Sequence, residues 1–184
     1  MSRLSGTIRT LARSFITGSG GFFSAGGDLK SLRSGEDRAL HTRDRIRRLQ
    51  TWFPSLIHLP KPVVAAVDGP AFGAGFSLAL AADVILASPR ARFCQVFGRI
   101  GVVPDMTSLY LLPRRIGGSA ARELILTARA VDAEEGRRLG LLADVVPEEC
   151  LLTEARRLAA RMNTPGSDFG SVKRAMMEAF DRPL

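Results

Sequence analysis

The segment from residue 63 to residue 83 constrains the fold more than any other part of this chain. It opens with an unbroken apolar run at residues 63–67, which is typical of a strand buried on both faces of a parallel sheet. After a turn it continues into a helix that starts with Gly73, Ala74 and Gly75. Because these residues carry almost no side chain, bare backbone N–H groups can approach a ligand closely there. The segment therefore predicts an α/β unit with a binding site at its strand-to-helix turn.

A second glycine-rich element lies upstream, at Phe23-Ser-Ala-Gly-Gly-Asp28, where an apolar run gives way to a charged segment. Two such elements predict two amide donors that converge on one oxygen atom, as in an oxyanion hole. Phosphate-binding loops fit less well, because Gly73-Ala-Gly75 lacks the later glycine of a dinucleotide fingerprint and no Gly-Lys-Ser/Thr follows it. The alternative, small residues that allow close packing of a helix on a sheet, explains one segment more easily than two.

The order of the elements predicts a single domain over residues 1–184, a length that can bury a proper core. We expect an irregular leader at residues 1–12, an α/β core at 13–104 and a mostly helical part at 105–184. Within the core, apolar residues recur at helical spacing over residues 36–57, and Pro54 should kink or divide that helix.

Composition excludes several classes of partner. The net charge is +8, but the basic residues are scattered and interleaved with acidic ones, so we expect no nucleic-acid partner. The apolar runs stay well below the roughly 20 residues that span a bilayer, so we expect no membrane association. The two cysteines have no short spacing, which favours a reducing, cytoplasmic location.

Three motifs carry a family resemblance. Val64-Ala-Ala-Val-Asp-Gly69, Gly73-Ala-Gly75 and Leu80-Ala-Ala-Asp-Val84 resemble the signature of the enoyl-CoA hydratase/isomerase (crotonase) superfamily. The segment Phe23–Asp28 resembles its other hallmark, and the similarity runs from about Arg13 to Phe180. The resemblance implies a ClpP/crotonase β-β-α spiral core followed by a mostly helical C-terminal region. It also implies an acyl-CoA thioester substrate from fatty acid metabolism, and a trimer or dimer of trimers. No metal is implied, and no cofactor beyond the coenzyme A of the substrate.

The same resemblance implies roles for particular residues. The amides of Gly27 and Ala74 would hold the thioester oxygen as the oxyanion hole. The residues expected to line the substrate and coenzyme A site are Ser24, Ala25, Gly26, Asp28, Leu29, Lys30, Gly73, Ser77 and Phe97.

Two of these positions depart from the hydratases of the superfamily. Hydratases carry two glutamates that handle the water, and these align with Ser77 and Phe97, neither of which can act as a carboxylate acid or base. The spacing Gly75-Phe-Ser77 hints at a nucleophile elbow, but Ala79 stands where the second glycine of that motif belongs. The sequence therefore disfavours simple hydration and serine hydrolysis.

Asp105 remains as the candidate catalytic residue. Its segment, Gly101-Val-Val-Pro-Asp105, is similar to family isomerases that move a double bond, in which the matching aspartate is the proton shuttle. An enoyl-CoA isomerase with Asp105 as base is therefore favoured. The alternative role for Asp105 is the N-cap of a helix that begins at Met106, which an aspartate suits well.

Compared with the superfamily, we expect the chain to lack the strands and helix that precede the first hallmark and the helices that follow Phe180. Two alternative functions therefore stay open. One is a hydratase-like enzyme (a lyase) with an atypical site, and the other is a truncated, non-catalytic protein that binds acyl-CoA or assists assembly.

Overall fold

The computed structural model describes residues 9–11, 15–27, 38–162 and 168–181, and within them the chain forms two sheets and seven α-helices. The strands are β1 (Arg9–Leu11), β2 (Phe15–Thr17), β3 (Val64–Val67), β4 (Pro70–Phe72), β5 (Val84–Ala87), β6 (Arg92–Cys94), β7 (Val131–Asp132) and β8 (Asp144–Val145). The helices are α1 (Arg38–Ile57), α2 (Ala74–Leu80), α3 (Ser108–Ile116), α4 (Gly118–Thr127), α5 (Ala133–Arg138), α6 (Glu148–Met162) and α7 (Phe169–Glu178), with a 3-10 helix at Val96–Ile100.

The larger sheet has the strand order β1-β2-β3-β5-β8 and is parallel except for β1. Strand β3 lies at its centre, with Val64 opposite Phe15 on one side and Val84 on the other. All four residues of β3 are fully buried, which explains why this strand is an unbroken apolar run. The smaller sheet has the order β4-β6-β7, with β4 parallel and β7 antiparallel to β6.

The expected α/β core and mostly helical C-terminal part are confirmed, with three local corrections. The expected irregular leader contains β1, which pairs antiparallel with β2. Strands β4 and β6 were not predicted, because three residues are too few to show an alternating pattern. Pro54 lies inside α1, so the helix is not divided there.

Asp105 is not the N-cap of α3, which corrects the alternative role considered for it. The helix begins at Ser108, and Thr107 is its N-cap residue. Met106 and Thr107 have φ values of 51° and 59°, in the left-handed region, so the chain turns after Asp105 before it becomes helical.

The hydrophobic core has two parts. The main cluster packs α2 against the sheets, with the rings of Phe76 and Phe93 5.3 Å apart. A second cluster joins the opposite face of the larger sheet to α6, through residues such as Phe15, Val64 and Leu151. None of the described helices is both long and apolar enough to cross a membrane.

An ion pair between Asp68 and Arg90 ties neighbouring turns together. The Arg90 guanidinium donates to both carboxylate oxygens of Asp68, at 2.6 and 2.7 Å, and to the carbonyl of Gly21 at 3.0 Å. This hydrogen-bonded guanidinium holds the pKa of Asp68 below its usual value. The loops that follow β3 and β5 are thereby linked to the turn after β2.

Candidate active site

The two glycine-rich elements lie side by side, as the sequence predicts. Ser24 forms a parallel bridge with Ala71: its N–H donates to the carbonyl of Pro70 at 3.0 Å, and its own carbonyl accepts from Phe72 at 2.9 Å. The upstream element is therefore hydrogen-bonded to β4, directly before the start of α2.

Two glycines allow this close approach. A methyl group placed on Gly75 would lie 2.3 Å from the carbonyl oxygen of Ser24, which is far inside van der Waals contact. A methyl group placed on Gly26, which has a φ of 95°, would lie 2.8 Å from the carbonyl oxygen of Phe72 and 3.5 Å from the nitrogen of Ala74. Because glycine has no Cβ, Gly26 can lie close to the Ala74 amide.

The N–H groups at the start of α2 have different roles. Gly73 donates its N–H to the carbonyl of Cys94 at 2.8 Å, so this amide is engaged within the protein. Among the described residues no acceptor receives the N–H of Ala74, the first residue of α2. Ala74 is half-buried and Gly27 is exposed, and the role of these two amides as paired donors stays a prediction.

Phe97 lies beside the same turn. Its ring atoms are 3.8 and 3.9 Å from the position of a methyl group on Gly73, and Val96 lies closer, at 3.2 Å. Phe97 is 7% exposed. This flank of the site is therefore apolar and offers neither an acid nor a base.

Ser77 connects α2 to Asp105. Its hydroxyl is fully buried and lies 3.3 Å from the carbonyl oxygen of Gly73 and 3.4 Å from that of Asp105. Ser77 is three residues after Ala74, about 4.5 Å along the helix axis. The backbone of Asp105 therefore lies within about one helical turn of the Ala74 amide, and its side chain is half-buried.

The structure thus brings together Ser24, Gly26, Gly73, Ala74, Ser77, Phe97 and Asp105. Ala25 and Gly27 are exposed at the end of the same described segment. Asp28, Leu29 and Lys30, expected in the coenzyme A groove, lie outside the described residues. The binding roles of these residues stay predictions.

Neither a reactive buried cysteine nor a metal-ligand cluster is found among the described residues. Burial raises the pKa of the Cys94 thiol, which lies 3.0 Å from the carbonyl oxygen of Ala128 and so remains protonated rather than becoming a nucleophile. Within the described part of the chain no three His, Cys, Asp or Glu side chains are grouped as metal ligands. An N–H group such as that of Ala74 can donate to an oxyanion, and the backbone of Asp105 lies close to the same helix.

Sequence reasoning missed two contributions to this site. The Cys94 carbonyl accepts the N–H of Gly73. It is a backbone group on β6, so the residue type at position 94 does not indicate this contact. The Ser108 hydroxyl donates to the carbonyl of Asp105 at 2.9 Å. A serine just before an apolar helical run is a signal of local backbone capping, but it does not reveal this acceptor.

Comparisons with known proteins identify the family of the chain. Residues 10–184 match the model of a family described as enoyl-CoA hydratase/isomerase. A probable enoyl-CoA hydratase of Rhodobacter capsulatus is 37% identical over 92% of this chain and 65% of its own length. The 1,2-epoxyphenylacetyl-CoA isomerase of Escherichia coli is 35% identical over 94% of this chain and 66% of its own length.

The fold is found among solved structures as well. The crystal structure of an enoyl-CoA hydratase from Polaromonas sp. JS666 superposes with a TM-score of 0.85 at 36% identity, covering 94% of this chain and 68% of that one. The expected crotonase fold is therefore confirmed. The chain spans less than two thirds of the length of the curated relatives named here, 65% of the first and 66% of the second.

Proposed function

This chain belongs to the enoyl-CoA hydratase/isomerase family, and on that premise we propose that it moves the carbon–carbon double bond of an enoyl-CoA instead of adding water across it. The observation that carries the proposal is which two residues lie beside the predicted amide donors. One carboxylate-bearing residue, Asp105, is held against α2 through Ser77, while the apolar Phe97 flanks Gly73.

The proposed reaction needs one carboxylate and one oxyanion hole. With the thioester carbonyl between the amides of Gly27 and Ala74, the Asp105 carboxylate removes a proton from the carbon between the carbonyl and the double bond. The electrons of that C–H bond delocalise to the thioester oxygen as a dienolate. The protonated Asp105 then returns the proton two carbons further along, and the double bond moves into conjugation.

The amides account for much of the expected rate. Negative charge develops on the thioester oxygen only as the proton leaves, so donors placed there stabilise the transition state more than the substrate. One such donor is typically worth about 2.7 to 4 kcal/mol of the barrier. Asp105 supplies general acid–base catalysis, typically a further factor of about 10² to 10⁴.

Hydration is the second candidate reaction, because the R. capsulatus relative is called a hydratase. In the hydratases that the chain resembles, two glutamates orient and deprotonate the water. A buried serine and a phenylalanine occupy those positions, 77 and 97, so the water would have no carboxylate at either place.

The deciding experiment offers 3-enoyl-CoA and 2-enoyl-CoA separately to the wild-type protein, to Asp105→Asn and to Asp144→Asn. The last is a matched control, because Asp144 is an exposed aspartate that pairs with Arg137 at the surface. We expect the wild type and the control to isomerise 3-enoyl-CoA, and Asp105→Asn to lose at least about 10²-fold in kcat.

Three results would contradict this proposal. Equal isomerisation by Asp105→Asn would remove the role of Asp105, and formation of 3-hydroxyacyl-CoA by the wild type would establish hydration instead. Binding of coenzyme A thioesters with no turnover of either substrate would favour the non-catalytic alternative. The mass in solution tests the family-like trimer separately.

A further inference from the structure

The chain reaches α3 from Asp105 through a turn with an unfavourable backbone conformation. Met106 and Thr107 are two of the three non-glycine residues with positive φ in the described chain. Residues with a Cβ adopt this region rarely, and they persist there only where surrounding contacts hold them. Something other than local preference must therefore fix the path of the chain after Asp105.

Two serine hydroxyls supply such contacts. The Ser108 hydroxyl donates to the carbonyl oxygen of Asp105 at 2.9 Å, and the Ser108 N–H donates to the same oxygen at 3.2 Å. The Ser77 hydroxyl, on α2, lies 3.4 Å from the same oxygen. Both serines are 0% exposed, so water does not compete for their protons.

We propose that Ser108 is a positioning residue for Asp105: its buried hydroxyl ties the Asp105 carbonyl to the start of α3 and so fixes the direction of the Asp105 carboxylate toward the substrate. Ser77 assists from α2. The inference rests on the proposed function, because it assigns Ser108 to the orientation of the proposed base. Ser108 itself exchanges no proton with the substrate.

The reaction explains why orientation matters here. One carboxylate must reach two carbons that are two positions apart on the same substrate, so a rotation of the Asp105 peptide would favour one carbon at the expense of the other. Displacement of a catalytic group by about 1 Å can cost about a hundredfold in rate. Removing the Ser108 hydroxyl leaves its N–H bond to Asp105, and so leaves the start of α3.

The test compares Ser108→Ala, Ser108→Cys and Ser88→Ala. Cysteine keeps nearly the volume of serine but is a poor hydrogen-bond donor, so it removes the interaction without leaving a cavity. Ser88 is a matched control, since it is also 0% exposed and donates its hydroxyl to Asp68, away from Asp105. Each variant is assayed with 3-enoyl-CoA, and the ¹³C chemical shift of the Asp105 carboxyl carbon is assigned by comparison with Asp105→Asn.

We expect both Ser108 variants to lose about 10- to 100-fold in kcat with KM within about twofold of wild type. Ser88→Ala should keep its kcat even if it unfolds more easily. The Asp105 carboxyl signal should move in the Ser108 variants and stay in place in Ser88→Ala.

The outcomes separate this inference from the proposed function. If Asp105→Asn is inactive but folded Ser108→Cys retains full kcat, the positioning role is wrong. If Asp105→Asn remains active, the proposed function fails. The ¹³C chemical shift of the Asp105 carboxyl carbon then tests by itself whether Ser108 positions Asp105. An unmoved signal in both Ser108 variants would overturn it.

Discussion

Replacing Gly75 by alanine tests how the two glycine-rich elements form one site. The added methyl group would lie 2.3 Å from the carbonyl oxygen of Ser24, whereas ordinary contact begins at 3.4 Å. Ser24 must therefore retreat by about 1 Å, because Gly75 lies in a helix packed in the core and cannot move easily.

Two effects should lower the stability of the Gly75→Ala variant. Overpacking of a core position typically costs about 1 to 3 kcal/mol. Loss of the hydrogen bond from Phe72 to the Ser24 carbonyl adds about 0.5 to 1.5 kcal/mol. Gly75→Ala should therefore lower the free energy of unfolding by about 1.5 to 4.5 kcal/mol. The displaced upstream element should lower kcat for 3-enoyl-CoA by about a hundredfold.

Urea denaturation and single-substrate kinetics measure the two effects. Gly118→Ala is the control, because Gly118 also lies at the start of a helix but has nothing within 4 Å of an added methyl group. This variant should keep its activity and gain up to about 1 kcal/mol from helix propensity. If Gly75→Ala keeps full activity and stays within about 0.5 kcal/mol of wild type, close approach of Ser24 to α2 does not assemble the site.

Three further predictions concern the rest of the fold. Leu124 and Leu126 lie on the same helix, α4, but are 1% and 76% exposed. In denaturant titrations Leu124→Ala should lower the free energy of unfolding by about 2 to 5 kcal/mol, and Leu126→Ala should change it by less than about 0.5 kcal/mol. Equal losses in the two variants would contradict the packing of α4. Iodoacetamide at pH 8 should alkylate exposed Cys150 but not buried Cys94 in the folded protein, and mass spectrometry should find both modified only after unfolding. Arg90 lowers the pKa of Asp68 in the folded protein, so the ionised Asp68 carboxylate stabilises the fold at pH values above the pKa of the unfolded chain. This stabilisation is lost as the pH falls and the carboxylate becomes protonated. The wild type should therefore lose unfolding free energy below about pH 4, and Asp68→Asn should show a shallower loss, whereas identical pH profiles would contradict it.

Much of the central unit could be predicted because its pattern is local. The buried strand β3 and the small-residue start of α2 follow each other along the chain, and their apolar and glycine content reports burial and close approach directly. The convergence of the two glycine-rich elements was also predicted, since two such segments suit paired donors.

Other features could not be predicted because their partners are distant in the sequence. Strands β4 and β6 have three residues each, and they are defined by their pairing with each other, of β6 with β7 and of Ala71 with Ser24. An aspartate before an apolar run is a good cap signal, which predicts that α3 starts at Met106. In the structure, Met106 and Thr107 instead form a left-handed turn and the helix begins at Ser108.

The sequence by itself therefore determined the α/β core and the family, and it predicts a small set of candidate site residues, since these depend on residue type and short spacing. Only the tertiary structure decided which distant groups meet: the Gly73 amide with the Cys94 carbonyl, and the Ser77 hydroxyl with the Asp105 carbonyl. The physical reason is that a hydrogen bond forms over about 3 Å. Whether two groups come that close depends on how whole helices and sheets pack, which no single segment specifies.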